Sequence, residues 1–82
     1  MIDLVNENYK KNIAFHEQEI KKVDKEIERI KILAFQTTDD RVYNAEIKQL
    51  EIKKEALESS LKIILNDYSR YKESVEEANE IF

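Results

Sequence analysis

Two seven-residue apolar repeats run through this chain, and they are out of phase by one residue. The first steps by four and three through Ile2, Asn6, Tyr9, Ile13, His16, Ile20, Val23, Ile27, Ile30 and Ala34. The second runs through Tyr43, Ile47, Leu50, Lys54, Leu57, Leu61, Ile64, Tyr68, Tyr71, Val75, Ala78 and Phe82. Each is a coiled-coil seam, with Ile13 and Ile47 at position a and His16 and Leu50 at position d. From Ala34 to Ile47, both at position a, is 13 residues, where an unbroken repeat needs 14. A helix absorbs insertions of three or four residues by local winding, but a one-residue slip turns the seam by about 100°. The helix must therefore break between Ala34 and Tyr43.

That break contains neither of the usual turn residues, since the chain has Gly 0 and Pro 0. Its sequence, QTTDD at residues 36–40, is polar throughout. In an antiparallel pair, a positions face d positions of the other helix. Pairing residues whose numbers add to 77 sets Ile30 against Ile47, Ile27 against Leu50, Tyr9 against Tyr68 and Ile2 against Val75, with the midpoint between Thr38 and Asp39. The expected fold is all-α: an antiparallel two-helix coiled-coil hairpin forming a single domain over 1–82. Helix 1 is expected over about 2–35, the turn over 36–39 and helix 2 over 39–81. Thr37 or Thr38 is expected to cap the second helix, with Asp39 and Asp40 complementing its dipole. The spacing from Thr37 to Asp40 resembles a capping box with a shortened acid.

Two helices alone bury little, and so small a core is usually supplemented by oligomerisation. Helix 2 carries a second stripe at helical spacing through Ala45, Ile52, Ala56, Ser59 and Ile63. The sequence predicts a homodimer, closing into a four-helix bundle across that stripe.

Three polar residues interrupt the seams. His16 is read as a packed core histidine, because the residue three before it is Ile13 and no Glu occupies an a or d position to build a bundle metal site. Lys54 is expected to run its stem along the seam toward Glu51 or Glu58. Asn6 is expected to bond Tyr71, and both it and Lys54 serve to fix register. The tyrosines near the termini read as core with their hydroxyls reaching solvent. Phe15, Ile32, Phe35 and Val42 fall off the seams, the last three at the hairpin tip with Leu33, and are candidates for contact with another protein.

Lys21, Lys22, Lys25 and Arg29 make a basic outer face on helix 1, with Glu26 and Glu28 close by. With the short hairpin and the expected dimer, this face resembles the ROP family of plasmid copy-number regulators, whose four-helix dimer binds paired RNA loops. The resemblance is one of architecture and carries no motif. It implies nucleic-acid contact through those four side chains. The net charge of −4 argues against nucleic acid as a partner.

Without glycine there is no phosphate-cradling loop. One seam histidine and scattered serines assemble no nucleophile, base and acid. Cys 0 removes thiolate chemistry. No catalytic, cofactor or metal site is expected, nor a membrane segment. The reading is a cytoplasmic, non-enzymatic module for protein–protein interaction or oligomerisation: a regulator, an adaptor, or an accessory factor of a phage or mobile element.

Overall fold

A computed structural model describes residues 3–81 of the chain, with side chains to residue 79. Two helices, α1 (Leu4–Phe35) and α2 (Arg41–Ile81), pack along each other as a hairpin. The molecule is a rod one helix thick, with principal extents of 68 × 19 × 12 Å. At about 1.5 Å per residue, α2 runs roughly 61 Å and α1 roughly 48 Å. The longer helix accordingly projects past the first at the open end.

Burial follows the two repeats position by position. Val23, Ile27 and Ile30 of α1 and Tyr68 of α2 form the buried core. The other described seam residues from Asn6 to Ala34, and from Tyr43 to Tyr71, are half-buried. The one-residue phase slip is absorbed by the turn. Val75 and Ala78 are exposed on the projecting part of α2. The expected contact of Ile2 with Val75 lies outside the described residues.

Both helix boundaries at the turn are made without left-handed backbone, which is why glycine is dispensable here. Gln36 ends α1 at φ −85°, ψ −7°, in the right-handed region. Its N–H reaches the carbonyls of Ile32 and Leu33, both at 3.2 Å, and the N–H of Thr37 reaches Ala34 at 3.4 Å. These tightened bonds satisfy terminal carbonyls that a glycine cap would otherwise serve. No described residue has positive φ.

The start of α2 corrects the sequence reading. The helix begins at Arg41, two residues later than expected, and its first backbone bond runs from the N–H of Asn44 to the carbonyl of Asp40 at 2.8 Å. Asp40, whose carbonyl takes that bond, stands at the N-cap position, and the N–H of Arg41 is met not by a threonine but by Asp39, whose Oδ1 accepts from it at 3.3 Å. Thr37 instead accepts from the N–H of Asp39 at 3.4 Å, holding the turn rather than the helix. The Arg41 guanidinium clasps the same carboxylate at 3.0 and 3.1 Å and holds it below its ordinary range. A carboxylate two residues ahead of Arg41 can accept from both its backbone and its side chain, which a threonine hydroxyl cannot match.

At the other end α1 starts at Leu4, capped by Asp3, whose Oδ1 accepts from the N–H of Asn6 at 3.1 Å. Sequence reasoning had placed the start at residue 2 and overlooked this cap, although Asp ahead of an apolar-periodic run is a standard start signal.

Candidate interaction surfaces

At the open end a small polar–aromatic cluster ties the two helices together. Tyr9 stacks on Tyr68 with ring centroids 5.3 Å apart and 19° between planes. It also lies 5.7 Å from Tyr71, tilted by 35°. The facing pair expected at Tyr9 and Tyr68 is therefore present. The hydroxyls, however, do not simply reach solvent: Tyr68 donates to Asn6 Oδ1 at 2.5 Å, and Tyr71 to the Asp3 carboxylate at 2.9 and 2.7 Å. Asn6 thus bonds Tyr68, where Tyr71 had been expected. Both contacts fall three residues beyond the facing layer, because a tyrosine is long enough to carry its oxygen about one helical turn from its own Cα. The Tyr71 hydroxyl, then the N–H of Asn6, hold the Asp3 carboxyl below its ordinary value, and the same carboxylate raises Tyr71. Lys72 sits 4.2 Å over the Tyr68 ring, in cation–π range.

The two remaining seam polar residues have found local solutions. His16 is half-buried, donates from Nδ1 to the carbonyl of Asn12 at 2.8 Å, and meets Phe15 edge-on at 5.7 Å. Lys54 reaches across the hairpin to Asp24 at 2.6 Å, with Glu58 at 3.8 Å as a secondary partner. The cross-helix acid was missed in the sequence, which pointed to Glu51 or Glu58. Asp24 is the main reason the Lys54 ammonium titrates above its ordinary value. A lysine beside a carboxylate of the other helix ties two particular residues together, so it penalises slippage of one seam along the other.

Around the tip, Ile32, Leu33, Phe35 and Val42 are all exposed, Phe35 to 92%. Phe15 is exposed farther along α1. On α2, Ala45, Ile52, Ala56, Ser59 and Ile63 are exposed as well, with Ile52 at 60% and Ile63 at 64%. Ile52 lies two residues before Lys54 and five after Ile47, which at about 100° per residue puts it on the side of α2 opposite the seam.

The basic face of α1 is partly neutralised from within its own helix. Lys22 pairs with Glu19 at 3.3 Å, and the Arg29 guanidinium pairs with both oxygens of Glu26. Among the described residues, no carboxylate pairs with Lys21 or Lys25. An open groove runs beside this face between the helices, lined by Glu26, Arg29, Glu46, Gln49 and Lys53 with Ile30 and Leu50 at its floor. Its walls mix both charges, so it offers no concentrated field to an ion of either sign.

Among the described residues no three His, Asp or Glu side chains converge as metal ligands. No described helix is long and apolar enough to cross a membrane. Comparison with family models, curated proteins and solved structures returns no match to this chain.

Proposed function

We propose that this chain is a non-enzymatic helical-hairpin module that pairs with a second copy of itself and holds another protein at its apolar tip, acting in the cytoplasm as a regulator, an adaptor, or an accessory factor of a phage or mobile element. The observation that carries this reading is the placement of exposed apolar residues. Phe35, Ile32 and Val42 surround a turn whose remaining residues are polar, so the patch is a feature of the tip and not scatter. Phe15 is a further contact candidate along α1. A convex phenylalanine at the end of a rigid rod is suited to enter a partner's pocket.

Self-association is proposed through Ala45, Ile52, Ala56 and Ile63. Because this stripe faces away from α1, a dimer of four helices closed over it forms a row, α1–α2–α2–α1, rather than a square bundle. Sedimentation is expected to give a dimer at micromolar concentration, and a folded monomer there would refute the pairing. For the tip, Phe35→Glu and Phe15→Glu are each expected to abolish retention of host proteins that wild-type chain captures, with helicity by circular dichroism unchanged. Undiminished capture by Phe35→Glu would refute the tip reading whatever Phe15→Glu does, and undiminished capture by Phe15→Glu would remove that residue from the contact.

A second reading is ROP-like nucleic-acid binding along Lys21, Lys22, Lys25 and Arg29. It is favoured by Lys21 and Lys25, which lie exposed with no carboxylate partner among the described residues. The partnered state of Lys22 and Arg29 counts against it.

A further inference from the structure

We infer that the outer face of α2 closes antiparallel on its own copy, centred between Leu57 and Glu58, so that Ile52 of each chain meets Ile63 of the other. This rests on the self-association proposed above and specifies its register. The face is apolar at two isoleucines exposed to 60% and 64%, eleven residues apart, which is three turns along one side of the helix. Between them a shallow depression is lined by Glu55, Glu58, Ser59 and Lys62; the exposed side chains of Ala56 and Ser59 are small enough to let another helix approach closely.

An antiparallel partner on this face obeys the rule the hairpin itself obeys, so the allowed registers differ by seven residues. Four of them overlap the stripe; the one centred on Leu61 sets Ile63 on Ser59 but leaves Ile52 on Arg70, Ala56 on Asn66 and Lys62 beside Lys62 of the second copy. A second sets Ile52 on Ala56, but it also sets Glu55 on Glu55, Lys53 on Lys53 and Lys48 on Lys62 of the second copy, all like charges. Another matches Lys48 with Glu55 and Glu46 with Lys53, but it leaves Ile52 on Gln49 and Ile63 on Thr38. The fourth pairs like with like: Ile52 on Ile63, Ala56 on Ser59, Gln49 on Asn66, and Glu55 beside Lys62, each twice across the axis. Its two mismatches, Glu46 near Asp67 and Ala45 on Arg70, lie at the outer ends of the contact, where solvent and salt screen the charges. Self-complementarity of shape and charge in the same register is what a twofold interface requires.

The register has a functional consequence. The turn at Thr38 lies about 29 Å along α2 from the twofold axis, so the two tips stand roughly 60 Å apart and point in opposite directions. A dimer of this form presents Phe35 once at each end and bridges two partner molecules.

The chain has no cysteine of its own, which makes the register directly readable. Ile52→Cys protein mixed with Ile63→Cys protein and mildly oxidised is expected to give a heterodimeric disulfide. Ala45→Cys with Ala56→Cys, Ile52→Cys with Ala56→Cys, and Ser59→Cys with Ile63→Cys report the three rival registers and are expected to stay uncrosslinked. Independently of any cysteine, Glu55→Lys is expected to weaken the dimer about tenfold in Kd by sedimentation, and adding Lys62→Glu to restore it. Crosslinking by any rival pair, or a dimer tightened by Lys62→Glu alone, would overturn this register while leaving self-association intact. A monomeric wild-type chain at micromolar concentration would overturn both.

Discussion

Ile27 and Ile52 are the same residue type on the two faces of this rod, exposed to 6% and 60%. Truncating each to alanine therefore isolates the effect of burial in the seam. Ile→Ala removes three carbons, worth about 2.4 kcal/mol at roughly 0.8 kcal/mol per buried methylene, and core series add a cavity contribution to reach about 2–5 kcal/mol. A hairpin one helix thick can relax around a void, so the lower part of that range, about 2–3 kcal/mol, is expected for Ile27→Ala. Ile52, with most of its surface in water, stands to lose at most about 1 kcal/mol, and the better helix propensity of alanine cancels roughly half of that. At about 4–8 °C per kcal/mol for a domain of this size, Ile27→Ala melts roughly 10–20 °C lower and Ile52→Ala within a few degrees of wild type. Thermal and urea unfolding followed at 222 nm measure both, at a chain concentration low enough that sedimentation shows the monomer. Raising the concentration is expected to leave the Ile27→Ala difference unchanged but to enlarge that of Ile52→Ala, because there the lost contact belongs to the dimer and mass action enters. Equal losses for the two variants at the lowest concentration would mean that the heptad seam is not the interior, and the hairpin reading would fall.

The open-end cluster has a pH window set by Asp3 and Tyr71. Asp3 is lowered from 3.8, so the stability it contributes is complete above that value and is lost as pH falls through its folded pKa. Tyr71 is raised from 10.0, so its contribution is complete below that value and is lost as pH rises through its folded pKa. Amide exchange at residues 4–9 is expected to quicken at both extremes, and Asp3→Asn to abolish the acidic limb; an acid limb that survives in Asp3→Asn would contradict this. Gln36→Gly is expected to cost about 0.5–1 kcal/mol, since a right-handed cap gives glycine nothing to relieve and adds chain entropy to the unfolded state; a stabilised variant would count against the turn geometry. Lys54→Leu is expected to raise the unfolding midpoint while broadening the oligomer distribution in sedimentation, because the tie to Asp24 that selects one alignment is gone; a single sharp species would argue that register is set elsewhere.

The backbone path was legible in the sequence because it follows from arithmetic on apolar positions: the phase slip demands a break, and the numbers of facing residues fix the layer pairs. The stacking of Tyr9 on Tyr68 shows how far that reaches. The polar contacts were less legible, for reasons particular to each. Asp3 caps α1, and Asp39 takes the N–H of Arg41 at the start of α2, because a short carboxylate just ahead of the first turn can accept from backbone N–H groups. In QTTDD the threonines offer the same backbone bond, but only the acid can also hold the Arg41 guanidinium. Lys54 was assigned acids of its own helix, because periodicity orders residues within a helix more readily than across a pair. Asp24 lies one residue from the layer that faces Lys54, and only the set geometry of the hairpin brings it to 2.6 Å. The displacement of Asn6 from Tyr71 to Tyr68 reflects the length of a tyrosine, which a Cα register does not contain.

The same attention to partners bears on whether α1 can hold nucleic acid. Counted from the sequence, Lys21, Lys22, Lys25 and Arg29 would release about four counterions, giving a slope of log K against log salt near −3.6 at roughly 0.9 per neutralised phosphate. In the hairpin, Lys22 and Arg29 are engaged by Glu19 and Glu26, whose carboxylates also repel a phosphate. That leaves Lys21 and Lys25, and a slope nearer −1.8. Dimerisation in a row would not double it, because the two α1 helices would stand at opposite edges, three interhelix spacings or about 24–30 Å apart, facing away from each other. A duplex against one edge cannot reach the other. Gel shifts with a looped RNA duplex from about 50 to 200 mM salt decide the matter. No binding at the lowest salt removes nucleic acid from consideration, and a slope near −2 marks weak, nonspecific contact by two lysines. A slope of −4 or steeper would show that phosphate displaces both carboxylates, and would favour the ROP-like reading over the protein-binding tip.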